Sequence, residues 1–298
     1  MIDFKRVELG DKELIESYLL EWGNQDCNLS FVNLCSWQFM TDSRFAIVEG
    51  CLVFRFTLDE ESVVYSMPVG GGDRKAVVEL LKCQAASEGH VLRVHGVFPE
   101  LEEWFNREYP GMFDYCLDRD YFDYIYLRQD LAELKGKYLQ AKRNHVNKFR
   151  KTYNYRYESL TQSLIPRCLE LEEKWCEEHG CDEEESLENE RKALNYALKH
   201  FDELGLIGGT LWVDEEIVAF TYGAPINGNT FGSHIEKANA KVDGAYAVIN
   251  QEFARHLPEH FTYVNREEDL GIPGLRKAKL SYHPEILLEK GYAEWKGE

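Results

Sequence analysis

The chain has 298 residues, 44% hydrophobic and 13% aromatic, with 53 acidic against 34 basic residues and a formal charge of −19. Length and composition give a folded protein of one large domain or two ordinary ones and exclude a disordered chain. The charge excludes general attraction to nucleic acid or anionic bilayers, and no apolar run approaches the ~20 residues of a membrane span.

In chain order, "MIDFKRVELGDKELIESYLLEWG" alternates charged with apolar residues and reads as a helix start without a signal peptide, so a soluble cytoplasmic protein is expected. "FVNLCSWQFM" reads as a second helix. "RFAIVEGCLVFRFTL" gives two strands about a Glu49-Gly50 turn, and "SVVYSMPV" gives a third. "GGGDRKAVVELLKCQAASEG" is a glycine-rich turn and an amphipathic helix. The strand "HVLRVHGV" and the helix "PELEEWFNREY" follow.

The same order returns roughly 165 to 170 residues later, with negligible identity. "SLIPRCLELEEKWCEEHG" and "SLENERKALNYALKHFDELG" are helices. "GGTLWVDEEIVAFTYG" is a hairpin turning at Asp214 to Glu216. "NTFGSHIEKA" is a strand, "NAKVDGAYAVINQEFARH" a turn and helix, "HFTYVNRE" a strand and "IPGLRKAKLSY" a helix. Helix, helix, three strands, helix, strand, helix thus occurs twice. The pattern predicts an α/β (α+β) protein of two lobes, residues 1–130 and 131–298, each a mixed sheet flanked by helices.

Eight cysteines are scattered without a CxxC pair, so buried reduced thiols are expected. Cys176, His179 and Cys181 lack a second ligand pair, and no metal is expected there.

Residues 136–151, "GKYLQAKRNHVNKFRK", hold six basic residues and no acid. As a helix, the segment puts Leu139, Val146, Phe149 and Tyr153 on one apolar arc, with Lys137, Asn144, Lys148 and Lys151 opposite. Arg143, Asn147 and Arg150 form the flank. Lys142 falls on the apolar arc, where it must snorkel outward or line a polar cavity. Two readings of the basic face stay open. It contacts donor phosphates through Lys142, Arg143, Asn147 and Lys148, or it neutralises the ten carboxylates between Glu172 and Glu190.

"KRNHVNKF" (142–149), "HIEKA" (234–238) and "NREEDLGIPGLRKAKLSYHP" (265–284) resemble the C-terminal catalytic domain of phosphatidylglycerol lysyltransferases. The order of elements resembles tandem-GNAT acyltransferases, with Fem-type peptidyltransferases as distant relatives. The resemblance implies two GNAT-like lobes and transfer of an acyl or aminoacyl group to an amine or hydroxyl. The expected donors are aminoacyl-tRNA, through its 3′ end, and acyl-coenzyme A as a co-substrate, with no tightly bound cofactor. The acceptor is a small molecule or lipid-like.

A GNAT loop holds pyrophosphate on amides at a helix N-terminus. The candidate here, Lys241-Val-Asp-Gly244-Ala-Tyr246, keeps the basic lead and Gly244 but has Tyr246 for a small residue and Asp243 where the pyrophosphate would sit. "PVGGGDRK" (68–75) is glycine-rich without the leading Arg or Gln.

The acids Glu268 and Asp269 precede a helix carrying Arg276 and Lys279. A carboxylate suits acceptor deprotonation, and a cation suits the oxyanion and donor phosphates. Lys279 matches the lysine that assists transfer in the tandem-GNAT relatives. Glu236 and Lys237 can face the same cleft. Capping of the helix by Glu268 or Asp269 is the structural alternative. The expected sites are therefore Lys279, Asp269, Glu268 and Glu236 for catalysis, and Lys142, Arg143, Asn147, Lys148, Lys237, Gly244 and Arg276 for donor binding. A catalytically silent protein binding a small ligand or partner is the other function class.

Overall fold

Glu49 and Gly50 both take positive φ (49° and 76°), as a two-residue hairpin turn demands, and they join the strands predicted on either side. The computed structural model containing this hairpin describes residues 1–58, 62–181 and 184–297. Its first elements are β1 (Lys5–Arg6), α1 (Lys12–Trp22), α2 (Phe31–Ser36), α3 (Gln38–Thr41), β2 (Arg44–Val48), β3 (Cys51–Thr57), β4 (Val63–Ser66), α4 (Arg74–Glu88), β5 (Arg93–Val97), α5 (Pro99–Glu108) and β6 (Phe113–Leu117). There follow β7 (Asp123–Leu127), α6 (Arg128–Glu133), α7 (Gln140–Thr152), β8 (Tyr155–Ser159), α8 (Ile165–His179), α9 (Glu185–Lys199), β9 (Ile207–Val213), β10 (Glu216–Pro225), β11 (Thr230–Ala238), α10 (Ala245–His256), β12 (Tyr263–Asn265), α11 (Pro273–Leu280), β13 (Ile286–Leu288) and β14 (Gly291–Trp295).

The duplicated order is realised. The predicted eight-element series appears as α1, α2–α3, β2, β3, β4, α4, β5, α5 and again as α8, α9, β9, β10, β11, α10, β12, α11. The two seven-stranded sheets run β1-β2-β3-β4-β5-β14-β6 and β8-β9-β10-β11-β12-β7-β13. In both, the sixth position is filled from the other half of the sequence. β14 lies antiparallel between β5 and β6, and β7 antiparallel to β12. The division therefore differs from a simple cut after residue 130. One unit comprises residues 1–123, 268–272 and 287–298, and the other 124–267 and 273–286. The pairing partner of a short strand is a long-range choice that its own pattern does not announce.

Local signals fix the helices. Asp73 caps α4 by accepting from Ala76 N, and Gly89 ends it in the left-handed region. Val77, Val78, Leu81 and Ala85 of α4 are buried against Val53, Tyr65 and Val94 of the first sheet. At ~1.5–3 kcal/mol per large buried side chain, this face holds the helix in place. In the second unit, α7 ends with Arg150 and Lys151 in its last turn, favourable at the negative end of the helix dipole. Val146 and Phe149 are its buried face, as its periodicity requires.

Candidate functional site

The site of greatest chemical content lies in the second unit, where β11 and β12 part. The two strands pair in parallel over Thr230–Gly232 and Tyr263–Asn265. Beyond that register, side chains bridge them. Arg266 Nη2 donates to Glu236 Oε1 at 3.2 Å, and His234 Nδ1 lies 2.8 Å from Glu267 Oε1. The register of β11 against β10 slips between Ser233 and Ile235, leaving His234 as an extra residue on β11, so the two contacts do not lie on one face of the strand. Glu267 has φ of 60°, an uncommon conformation for a residue with a Cβ, and its N–H is held by Asn265 Oδ1 at 2.7 Å.

The Glu236 and Arg266 side chains are each only 14% exposed. The Arg266 guanidinium lies 5.8 Å from the Tyr126 ring centroid and 5.0 Å from that of Tyr282. Lys142, from α7, places its ammonium 4.1 Å over the Tyr282 ring. The lysine on the apolar arc of the basic helix thus lines a polar, aromatic-walled site. Burial, and then the Arg266 charge, lower the Lys142 pKa, while Glu236 opposes the shift. Burial pushes the Tyr282 hydroxyl up to about 12, keeping it neutral. Lys279 Nζ donates to the Arg266 carbonyl at 2.6 Å, and Tyr126 Oη donates to the Lys279 carbonyl at 2.8 Å. α11 therefore anchors the backbone that carries Arg266.

Two buried polar atoms here have no hydrogen-bond partner among the described residues, Arg266 Nη1 and Asn250 Oδ1. Asn250 Nδ2 itself donates to Glu236 Oε2 at 3.2 Å, so Glu236 links Asn250 and Arg266. Orphaned buried polar atoms cost about 1–3 kcal/mol each and are rare in folded proteins. The Lys142 ammonium has its Tyr282 ring contact but no hydrogen bond or ion pair among the described residues.

The remaining predicted residues lie elsewhere or are engaged. Arg143 donates to the carbonyls of Leu134 and Gly136, and Asn147 is exposed. Lys148 pairs with Asp243 at 2.6 Å, and Arg150 with Glu252 at 2.7 Å. The basic helix is thus partly neutralised, but not by the acidic run after Glu172. Glu172, Glu178, Glu188 and Glu190 of that run pair with Arg191, Lys241, Lys192 and Lys237, while Asp182 and Glu183 fall outside the described residues. Lys237 is on the other face of β11 from Glu236, paired with Glu190 and 3.3 Å from the Trp175 ring centroid.

Gly244 has φ of 90°, and a Cβ there would come within 3.1 Å of both His145 O and Phe149 Cβ. Its bareness serves the approach of α7 to the start of α10. Arg276 is half-buried on α11.

Glu268 and Asp269 belong to the first unit. Glu268, Asp26 and Asp123 each lie 2.8 Å from the buried Lys290 ammonium. Burial pushes the Asp123 carboxyl up to about 7, and Glu268 and Asp26 add to the shift against Lys290. Asp269 pairs with Arg119 at 3.4 Å and accepts from Gly271 N at 2.9 Å, shaping the turn before α11. The expectation of reduced thiols throughout is corrected at one place. Cys176 and Cys181 are joined by a disulfide, and Glu172 lies beside them.

Arg266, His234, Glu267, Asn250, Tyr126 and Tyr282 were not singled out from the sequence. Arg266, His234, Glu267 and Tyr282 lie inside two of the stretches that carry the resemblance. Nothing marked Tyr126 apart from ordinary core aromatics.

Two mixed sheets of one topology, repeated in tandem, define a duplicated GNAT-type acyltransferase fold. The family described as phosphatidylglycerol lysyltransferase, C-terminal, matches residues 22–293, and the chain belongs to that family. A crystal structure of a conserved protein of unknown function from Bacteroides thetaiotaomicron is 51% identical, with a TM-score of 0.97 over 99% of this chain and 100% of that one. L-PGS from Bacillus licheniformis shares the fold at 16% identity, with a TM-score of 0.65 over 97% of this chain and 93% of that one. FemX does so at 10% identity, with a TM-score of 0.65 over 98% and 97%. An uncharacterized protein of Mycoplasmoides gallisepticum is 26% identical over 175 residues, 56% of this chain. The chain spans about half the length of that curated relative, 54%. Among the described residues, no helix is long and apolar enough to cross a membrane.

Proposed function

We propose that the protein transfers an aminoacyl or acyl group from an activated ester or thioester to an amine or hydroxyl, at the Lys142–Glu236–Arg266 site. One observation carries this reading. Arg266 Nη1 is a buried cationic donor with no partner, beside a lysine that also has none among the described residues. Such a donor suits the oxygen on which negative charge develops when a nucleophile adds to a carbonyl. The acceptor nitrogen or oxygen attacks the carbonyl carbon, the oxyanion forms against Arg266, and the 3′-oxygen or thiolate of the donor leaves. Glu236 aims the guanidinium, Lys142 contributes charge to the donor, and Lys279 holds the Arg266 backbone. Transfer is direct. Aminoacyl-tRNA is the favoured donor, because Lys148 is already paired with Asp243 and α7 packs against Gly244, where a coenzyme A pyrophosphate would have to bind.

The test supplies lysyl-tRNA, alanyl-tRNA or acetyl-coenzyme A as donors, with phosphatidylglycerol vesicles or a dipeptide as acceptors. Wild type should transfer from at least one tRNA donor. Arg266→Met should lower kcat about 10²–10³-fold. Lys142→Ala/Arg143→Ala should weaken tRNA binding and flatten its salt dependence by about one unit of slope per lost phosphate contact. Absence of transfer from every donor, with tight equilibrium binding, would instead establish the silent-binding reading. That alternative draws on how many predicted residues are held in ion pairs.

A further inference from the structure

The end of α8 carries a second group of reactive side chains, and the transfer scheme above leaves it unused. Cys176 and Cys181 are joined by a disulfide, their Cα atoms 4.9 Å apart, and both residues are buried. Glu172 stands four residues before Cys176, one turn back on the same face of the helix. Its Oε1 lies 3.0 Å from the Cys176 sulfur, and its side chain is 3% exposed.

A disulfide serves that carboxylate poorly. A bridged sulfur carries no hydrogen, so Glu172 Oε1 receives no hydrogen bond from it. The other oxygen pairs with Arg191 at 3.6 Å. Burial raises the Glu172 pKa, Arg191 and Lys237 oppose the shift, and Glu190 and Glu173 add to it. Buried carboxylates are normally met by hydrogen bonds, ion pairs or a metal. Here one carboxylate oxygen and the two sulfurs all lie within 4.8 Å of one another. His179 is not part of the group. Its Nδ1 lies 2.7 Å from the Trp175 carbonyl oxygen, and its ring stacks on Trp175 at 3.9 Å. The spacing of Cys176, His179 and Cys181 suggested the wrong third donor, and the helix supplies Glu172 instead.

We propose that Cys176, Cys181 and Glu172 form a redox-gated site for a thiophilic divalent cation of the zinc class, open when the cysteines are reduced and closed by their disulfide. Two thiolates and a carboxylate are ordinary zinc ligands, at about 2.3 Å for sulfur and about 2.0–2.2 Å for oxygen, and water completes the tetrahedron. The cation together with Arg191 neutralises the three anionic donors. The chemistry balances. A dithiol reductant gives two electrons and two protons to the Cys176–Cys181 bond and becomes a disulfide itself. The cation then displaces the two thiol protons to solvent. Bound there, it clips the turn that carries Trp175, whose Nε1 donates to Tyr246 Oη at 3.0 Å and whose ring lies 3.3 Å from Lys237 Nζ.

The experiment titrates cobalt(II) into the full chain, reduced with a phosphine and kept free of oxygen. A single equivalent should produce thiolate-to-cobalt charge-transfer absorption in the near ultraviolet, and zinc should displace it. The same protein re-oxidised should give no such band. Cys176→Ser/Cys181→Ser keeps the other six cysteines and should also lose the band. Glu172→Gln should weaken cobalt and zinc binding about 10-fold or more. Reduced wild type should melt higher with zinc than with a chelator, and circular dichroism should show both variants folded. No band from reduced wild type overturns the proposal and leaves the pair a disulfide alone. A band that survives oxidation or the double substitution overturns it too, because the metal then sits on other groups. Unchanged affinity in Glu172→Gln removes the third donor and overturns the site as drawn. None of these readouts depends on transfer activity.

Discussion

Replacing Glu236 by glutamine removes one charge from the site and almost nothing else. The Arg266 side chain is 14% exposed and meets Glu236 at 3.2 Å. Removing one partner of a fully buried ion pair costs about 3–5 kcal/mol, because the surviving charge is left uncompensated. Residual solvent contact and the two tyrosine rings reduce this, giving an expected loss of about 2–4 kcal/mol. With ~2–4 °C of Tm per kcal/mol for a unit of this size, the melting point should fall by about 5–12 °C. Lys142 loses the carboxylate that opposes its pKa shift, so its amine moves further toward neutrality. Urea and thermal unfolding followed by tryptophan fluorescence read the stability. Glu236→Leu/Arg266→Met supplies the control, since exchanging a buried pair for apolar residues of similar size is often neutral or stabilising. If Glu236→Gln lost under about 1 kcal/mol and the double variant were no more stable than the single, Arg266 would not depend on Glu236, and the electrostatic account of the site would fail.

Two other perturbations test the surroundings. Asp123 has its folded pKa raised to about 7, against about 3.9 in the unfolded chain, so its contribution is fully present below pH ~4 and is lost as pH rises through 7. Wild type should therefore lose up to roughly 4 kcal/mol from this group between pH 4 and 8, and Asp123→Asn should flatten that slope; parallel urea midpoints for the two proteins across this range would contradict the assignment. Gly244→Ala should destabilise by about 2 kcal/mol or more, combining left-handed strain with the 3.1 Å approaches to His145 O and Phe149 Cβ, and an unchanged denaturation midpoint would show that α7 does not need the bare glycine.

The fold was legible because its signals are local. Alternation, turn residues and caps fall within a few residues of one another, so the repeated order of elements could be read twice and found twice. The exchanged strands could not, since Asp123–Leu127 and Gly291–Trp295 carry apolar patterns that suit either sheet. The site was half legible for the same reason. Lys142 stood out as a lysine on an apolar arc and Glu236 as an acid in a strand, and the structure brings those two together. The sequence reading selects Glu268 and Asp269 from the stretch that also holds Arg266 and Glu267, and in the structure their side chains meet Lys290 and Arg119. Left-handed backbone at Glu267, Leu270 and Gly271 breaks strand alternation there, so adjacent acids turn in different directions.

What separates the two polar clusters of this molecule is saturation. In the first unit, Lys290 has three N–H donors and three carboxylates at 2.8 Å, so every hydrogen of the ammonium is used. Burial opposes its charge, yet the carboxylates of Asp123 and Asp26 hold its pKa well above the ordinary value. A ligand entering there would have to break bonds as good as those it made. In the second unit, Arg266 and Asn250 beside Glu236 each keep one buried atom without a hydrogen bond among the described residues, a donor and an acceptor. A binding step there replaces missing bonds and returns the 1–3 kcal/mol that each orphan costs. Glu268, one of the three acids around Lys290, stands out in the sequence because charge density is visible in one dimension. Unsatisfied hydrogen-bonding capacity is visible only in three, and it is the property on which the proposed Lys142–Glu236–Arg266 site rests.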